Sequence, residues 1–250
     1  MRESYKLKLK SEGANLCLER LKMGKVQLTF FHDVLCPFCY VTSKRLKRVV
    51  SEFNSSVLVV HKAFAIISSL EDLKAVAPTE EDAREFFLKE FDILKKYFPD
   101  YDPQRVISKG NIGFTWSIPP LTACKVAEKR RGQEGHWSMF DRLQDAFFLE
   151  GQNVADEGVI IRIATQLGFE PSDFLREMRS KEAKYAVVAD EDEARALGIR
   201  GVPAILINET WLIRGVPEES VLRDAISDIL EHGEPRKSKL KAFWEYSTNY

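Results

Sequence analysis

Residues 26–53 read VQLTFFHDVLCPFCYVTSKRLKRVVSEF. The opening segment, 26–33, is rich in β-branched and aromatic side chains and predicts a buried strand. Between 39 and 53 the apolar positions are Val41, Leu46, Val49, Val50 and Phe53, with basic residues between them. That is helical spacing, so Cys36 and Cys39 stand at a strand-to-helix junction, at or near the helix N-terminus. Residues 56–66, SVLVVHKAFAI, then read as a second strand. Strand, helix and strand in this order predict a βαβ crossover in a sheet with parallel neighbours.

Further along the chain the period changes. From Leu70 to Tyr185 the pattern is helical, with helices expected over 80–98, 119–131, 137–150, 156–168 and 171–180. Thr79 and Ser172 are suitable caps. Strand character returns in VPAILIN (202–208) and TWLIRG (210–215), with Asn208-Glu209-Thr210 as the turn between them. An amphipathic helix over 217–232 closes the pattern. The organisation expected is therefore α/β: an extension over 1–25, a discontinuous sheet domain over 26–69 and 186–232, a helical insertion over 70–185, and a polar tail over 233–250.

Composition narrows the function. The 250 residues are 44% hydrophobic and 30% charged, with a formal net charge of −1. Apart from the late run RKSKLK, nothing offers the phosphate-neutralising footprint that nucleic-acid binding requires. The N-terminal residues are charged throughout and lack the apolar core of a secretory signal. No apolar run reaches the roughly 18 residues of a membrane span. A cytoplasmic location without membrane or nucleic-acid partners is the expectation. Cys17, Cys36, Cys39 and Cys124 are too few for a disulfide framework in a chain this long.

A close cysteine pair can exchange disulfides, bind a metal or simply pack. Exchange needs an attacking thiolate and a second thiol to resolve the mixed disulfide. Cys-x-x-Cys on a first helical turn supplies both, with the first sulfur near the unsatisfied N–H groups and positive end of the helix. By that logic Cys36 is the nucleophile and Cys39 the resolving thiol. Pro37 between them costs little where its missing N–H would have no helical partner. A structural zinc site normally needs a second half-site. Cys17 and Cys124 stand alone, and His32 and His61 fall in expected strands, so no metal is expected. Pro203 opens the strand at VPAILIN, a position where proline is tolerated and where a cis peptide can occur.

DVLCPFCYVTSKRL together with ALGIRGVPAILIN resembles the DsbA-like branch of the thioredoxin superfamily. The resemblance is strongest to its FrnE and 2-hydroxychromene-2-carboxylate isomerase relatives, over roughly residues 26–232. It implies a thioredoxin fold with an inserted all-helical domain and a thiol–disulfide oxidoreductase acting through Cys36-Pro37-Phe38-Cys39. It also implies that Val202-Pro203 forms a cis-proline loop facing the dithiol and contacting polypeptide substrates. Phe38 departs from the Pro-His dipeptide of strongly oxidising members and offers a thiolate no cationic partner, which predicts a less oxidising couple. The isomerases and kappa-class glutathione transferases typically carry serine where this chain has Cys36.

Asp33 and Cys124 are candidates for supporting roles. Asp33 reads first as a cap of the turn before the dithiol, and Cys124 as a small buried residue. The aromatic series Phe86, Phe87, Phe91, Tyr97 and Phe98 reads as helix packing, and His136-Trp137 as a helix opening without chemistry. The expected activity is exchange with polypeptide thiols or disulfides, or with a reductase partner. No resident cofactor is needed, and glutathione is a candidate co-substrate. Two other readings stay open: a glutathione-dependent isomerase or transferase, and a non-enzymatic binding module gated by the disulfide.

Overall fold

The computed structural model describes residues 25–236. Cys17, nearly all of the expected N-terminal extension and most of the polar tail lie outside the described residues. The sheet has four strands in the order β2-β1-β3-β4: β1 Val26–His32, β2 Val57–Ala63, β3 Ala204–Ile207 and β4 Trp211–Arg214. Nine α-helices are described: α1 Pro37–Ser51, α2 Leu70–Val76, α3 Glu80–Asp92, α4 Pro103–Lys109, α5 Ile118–Phe148, α6 Glu157–Gln166, α7 Pro171–Met178, α8 Lys181–Ala196 and α9 Glu219–His232. This is the mixed α/β, thioredoxin-like arrangement with a helical insertion. No helix among the described residues is long and apolar enough to cross a membrane.

By compactness the described residues form two units, one from 25–30, Lys44–Val60 and 204–236, the other from Phe31–Ser43 and His61–Pro203. In the first, β3 and β4 pair antiparallel with Ile207 opposite Trp211. Asn208 and Glu209 turn the hairpin with positive φ of 47° and 58°. Asn208 suits this place, since its short side chain tolerates the left-handed region, and its Oδ1 accepts from Gln27 N at 2.8 Å. Val26, Leu28, Phe30, Ile205, Ile207 and Ile226 make the buried centre. On its surface Arg223 grips Glu52 through two hydrogen bonds of 2.6 Å each.

The second unit is mostly helical. Phe87, Phe91, Phe147 and Phe148 are buried together, with ring centres 4.9–5.3 Å apart. Tyr97 and Phe98, read with the same helix, follow a short 3-10 turn over Ile93–Lys96 instead. Thr79 caps α3 as expected, and Asp82 completes a capping box. Removing the Thr79 side chain leaves orphan N–H groups at the helix start. Thr79→Ala is therefore expected to lower stability by about 1 kcal/mol in denaturant titration.

One local expectation changes and another holds. Ser172 lies inside α7, which is capped instead by Glu170 accepting from Ser172 N and Asp173 N. The two helices expected over 119–131 and 137–150 are both present, as the two parts of α5, divided where Arg131 and Gly132 leave helical geometry and Gly132 takes φ 63°. Glycine accommodates that conformation without strain.

Candidate active site: a dithiol on the first turn of α1

β1 ends at His32 and α1 begins at Pro37, so the link between them decides where the sulfurs point. Asp33, fully buried, holds that link with both carboxylate oxygens. One accepts from Leu35 N at 2.8 Å and the other from Ile66 N at 2.6 Å. Burial pushes its carboxyl up to about 6, against the hydrogen bonds from Ser117, Ile66 and Leu35 that favour the ionised form. The capping role expected of Asp33 has this geometric basis, and it reaches beyond the local turn to the chain after β2.

Cys36 occupies the N-cap position of α1, with Pro37 as the first helical residue. Its Sγ accepts from Cys39 N at 3.2 Å, the bond an N-cap oxygen would normally take. The same sulfur lies 3.7 Å from the Val202 carbonyl oxygen, to which the thiol donates. The Val202–Pro203 peptide is cis. Cys36 is 4% exposed and Cys39 fully buried. Burial, then the hydrogen bond with Cys36, pushes the Cys39 thiol well above the ordinary cysteine range. Both sulfurs are buried but differ in partners: Cys36 Sγ caps the helix start beside the Val202 carbonyl, and Cys39 lies behind it one turn in. Phe38 between them is half-buried.

This strand–dithiol–helix order, with a distant Val-Pro brought to the first sulfur, coincides with a family match. The DSBA-like thioredoxin domain matches residues 27–96 and 126–227. The chain belongs to that family. The DsbA-like chain is 24% identical over 191 residues, 74% of its length, to the ClpXP adapter protein SpxH of Halalkalibacterium halodurans, and spans 59% of that protein. A probable DsbA oxidoreductase of Streptomyces coelicolor shares its fold at TM-score 0.66, with 21% identity, 85% of this chain and 93% of that one covered. The cytosolic disulfide reductase DsbM of Pseudomonas aeruginosa does so at TM-score 0.58 and 18% identity, covering 86% and 99%. A 2-hydroxychromene-2-carboxylate isomerase does so at 0.57 and 16%, covering 83% and 97%. These solved structures speak for the fold alone.

Other residues of this DsbA-like chain steady the dithiol helix. The Tyr40 hydroxyl donates to Asp145 at 3.1 Å, and Ser43 donates to Asp141 at 2.9 Å. Trp137 Nε1 donates to Ser43 at 3.1 Å. Sequence reasoning missed this set, and read Trp137 only as part of a helix opening. Its partners lie about a hundred positions away, and only the shared polar-in-apolar pattern hinted at them. Cys124 lies in α5, fully buried, and its thiol is pushed up chiefly by desolvation.

Proposed function

We propose that this DsbA-like protein exchanges disulfides with polypeptide thiols through Cys36 and Cys39. The observation that carries the reading is the unequal setting of the two sulfurs, one capping α1 beside Val202 and the other buried one turn in. Cys36 as thiolate attacks one sulfur of a substrate disulfide. A Cys36–substrate S–S bond forms, and the other substrate sulfur leaves and takes up a proton. Cys39 then gives up its proton and displaces the substrate sulfur from Cys36. The chain ends with a Cys36–Cys39 disulfide and the substrate with two thiols, a two-electron reduction. After this reduction two glutathione molecules, themselves becoming glutathione disulfide, or a reductase restore the chain's thiols; the reverse sequence starts from the Cys36–Cys39 disulfide, oxidises a substrate dithiol and leaves the chain as the dithiol.

Pro37 and Phe38 set the approach to Cys36, and Val202-Pro203 offers backbone to the incoming polypeptide. Asp33 is a positioning residue that fixes the link leading into Cys36. Phe38 supports a couple milder than that of Pro-His members, in keeping with work in the cytoplasm, where the DsbM relative by its name operates. Alkylation with intact-mass detection across a glutathione redox series tests the reading. Cys36 and Cys39 should pair reversibly at one midpoint and be protected together. Independent modification of the two, with no paired form at any poise, overturns it.

A second reading rests on the SpxH relative, whose name makes it an adapter. In that case the dithiol sets the shape of a binding surface. Partner binding that follows redox state without turnover of any disulfide would favour it.

A further inference from the structure

The second compact unit contains a group of side chains that the dithiol chemistry does not use. His32 at the end of β1, His61 in β2 and His136 in α5 are each fully buried. Their ring centres form a near-equilateral triangle with sides of 5.0, 5.1 and 5.2 Å. His61 Nδ1 and His32 Nε2 are 3.2 Å apart. One nitrogen from each ring lies within 4.8 Å of one from each of the others. Phe140 packs on His32 at 3.8 Å and Trp137 on His61 at 4.9 Å. Three imidazoles gathered in one fully buried place make a donor set rather than ordinary apolar packing.

We propose that His32, His61 and His136 bind a divalent transition-metal ion, zinc by preference, in a buried three-imidazole site. Tetrahedral Zn–N bonds of about 2.0–2.1 Å separate two ligand nitrogens by about 3.3 Å and two ring centres by about 5.2 Å. The triangle already has the second dimension, and the His32–His61 pair is within about 0.1 Å of the first. His136 closes the set by turning its ring inward. Imidazole donors suit zinc, and a tetrahedral arrangement disfavours copper(II) and nickel(II), which prefer square-planar sites. The fourth position falls to a small ligand such as water.

Two further observations point the same way. His136 Nδ1 lies 2.8 Å from the Glu128 carboxylate, while His136 Nε2 has no hydrogen-bond partner among the described residues. A carboxylate on one nitrogen and a metal on the other is the usual arrangement of a ligating histidine. The break at Arg131–Gly132 makes that contact possible, since eight residues of unbroken helix would separate the two by about 12 Å. The surrounding charge is also suited to a cation. Glu128, Asp190 and Glu193 face Lys62 and Lys125 in one ion-pair cluster, leaving one negative charge in excess.

Because the dithiol itself can bind zinc, the test uses Cys36→Ser/Cys39→Ser protein, with Zn2+ counted by mass spectrometry and Co2+ as a spectroscopic probe. One ion per chain and the visible bands of tetrahedral Co2+ are expected. His61→Gln and His136→Gln should each weaken binding by at least about 100-fold, and Glu128→Gln by about 10–100-fold. Absence of binding, or binding unchanged by His136→Gln, overturns the site. Imidazole NMR of the folded native chain decides the matter even if a histidine variant fails to fold. The chain has four histidines, so Zn2+ should move the signals of three and spare that of His232. A spectrum in which the three buried signals stay in place overturns the proposal. Neither outcome depends on disulfide exchange.

Discussion

Cys36→Ser is expected to abolish disulfide exchange, with turnover of a model disulfide falling by about three orders of magnitude or more, the scale on which loss of a covalent nucleophile registers. Serine keeps the N-cap geometry and accepts from Cys39 N as sulfur does now, so the fold should persist while the reaction stops. Cys39→Ser gives a different result. The first displacement still runs, because Cys36 keeps its place beside Val202, but no internal thiol remains to release the substrate. Mixed disulfides on Cys36 should then accumulate, visible as adducts on non-reducing gels and in intact mass. Their persistence follows from lost proximity, since an external thiol must replace one held at high effective concentration. Cys39→Ser protein that turns over like the native chain would sink the assignment.

The second large effect is structural. Phe147→Ala should cost about 3–5 kcal/mol, the usual range for deleting a buried phenylalanine. Phe147 meets Phe91 at 4.9 Å, Phe148 at 4.9 Å and Phe87 at 5.3 Å. The contacts to Phe87 and Phe91 bridge α3 and α5. Its removal opens a cavity and takes away edge-to-face contacts on three sides. Phe86, half-buried on the same helix as Phe87, is the control and should cost much less. Chemical denaturation of both variants measures the difference, and a loss below 1 kcal/mol for Phe147→Ala would show a cluster free to collapse around the gap.

What the sequence made legible was local. The strand at 26–32, the helix after the dithiol and the 204–214 hairpin each carry their period within a few residues. The span 181–196 was harder to place. Its buried apolar positions are the small or branched Ala183, Val187 and Ala194, and Asp190 and Glu191 are buried beside them, so the stretch reads as charged and solvated. The strand expected to run to residue 66 stops at Ala63, because Ile66 N turns to Asp33. At the site, spacing alone placed Cys36 and Cys39 on a helix start. Val202 could be associated with them only through resemblance, since 166 positions separate Val202 from Cys36. The histidine triangle was illegible for the same reason. His32 and His61 were weighed only as partners for distant cysteines, and His136 only as a helix opening, because a break in the helix brings it to Glu128 and three separate elements bring the rings together.

The distance between Cys36 and Val202 also has a meaning in time. At roughly 5–20 residues per second, a ribosome completes Cys39 about 10–30 seconds before Val202 emerges. For that interval the two thiols exist without the carbonyl that flanks the first of them. A nascent chain of this protein is thus a dithiol before its site is assembled, and for that interval is open to exchange with other thiols.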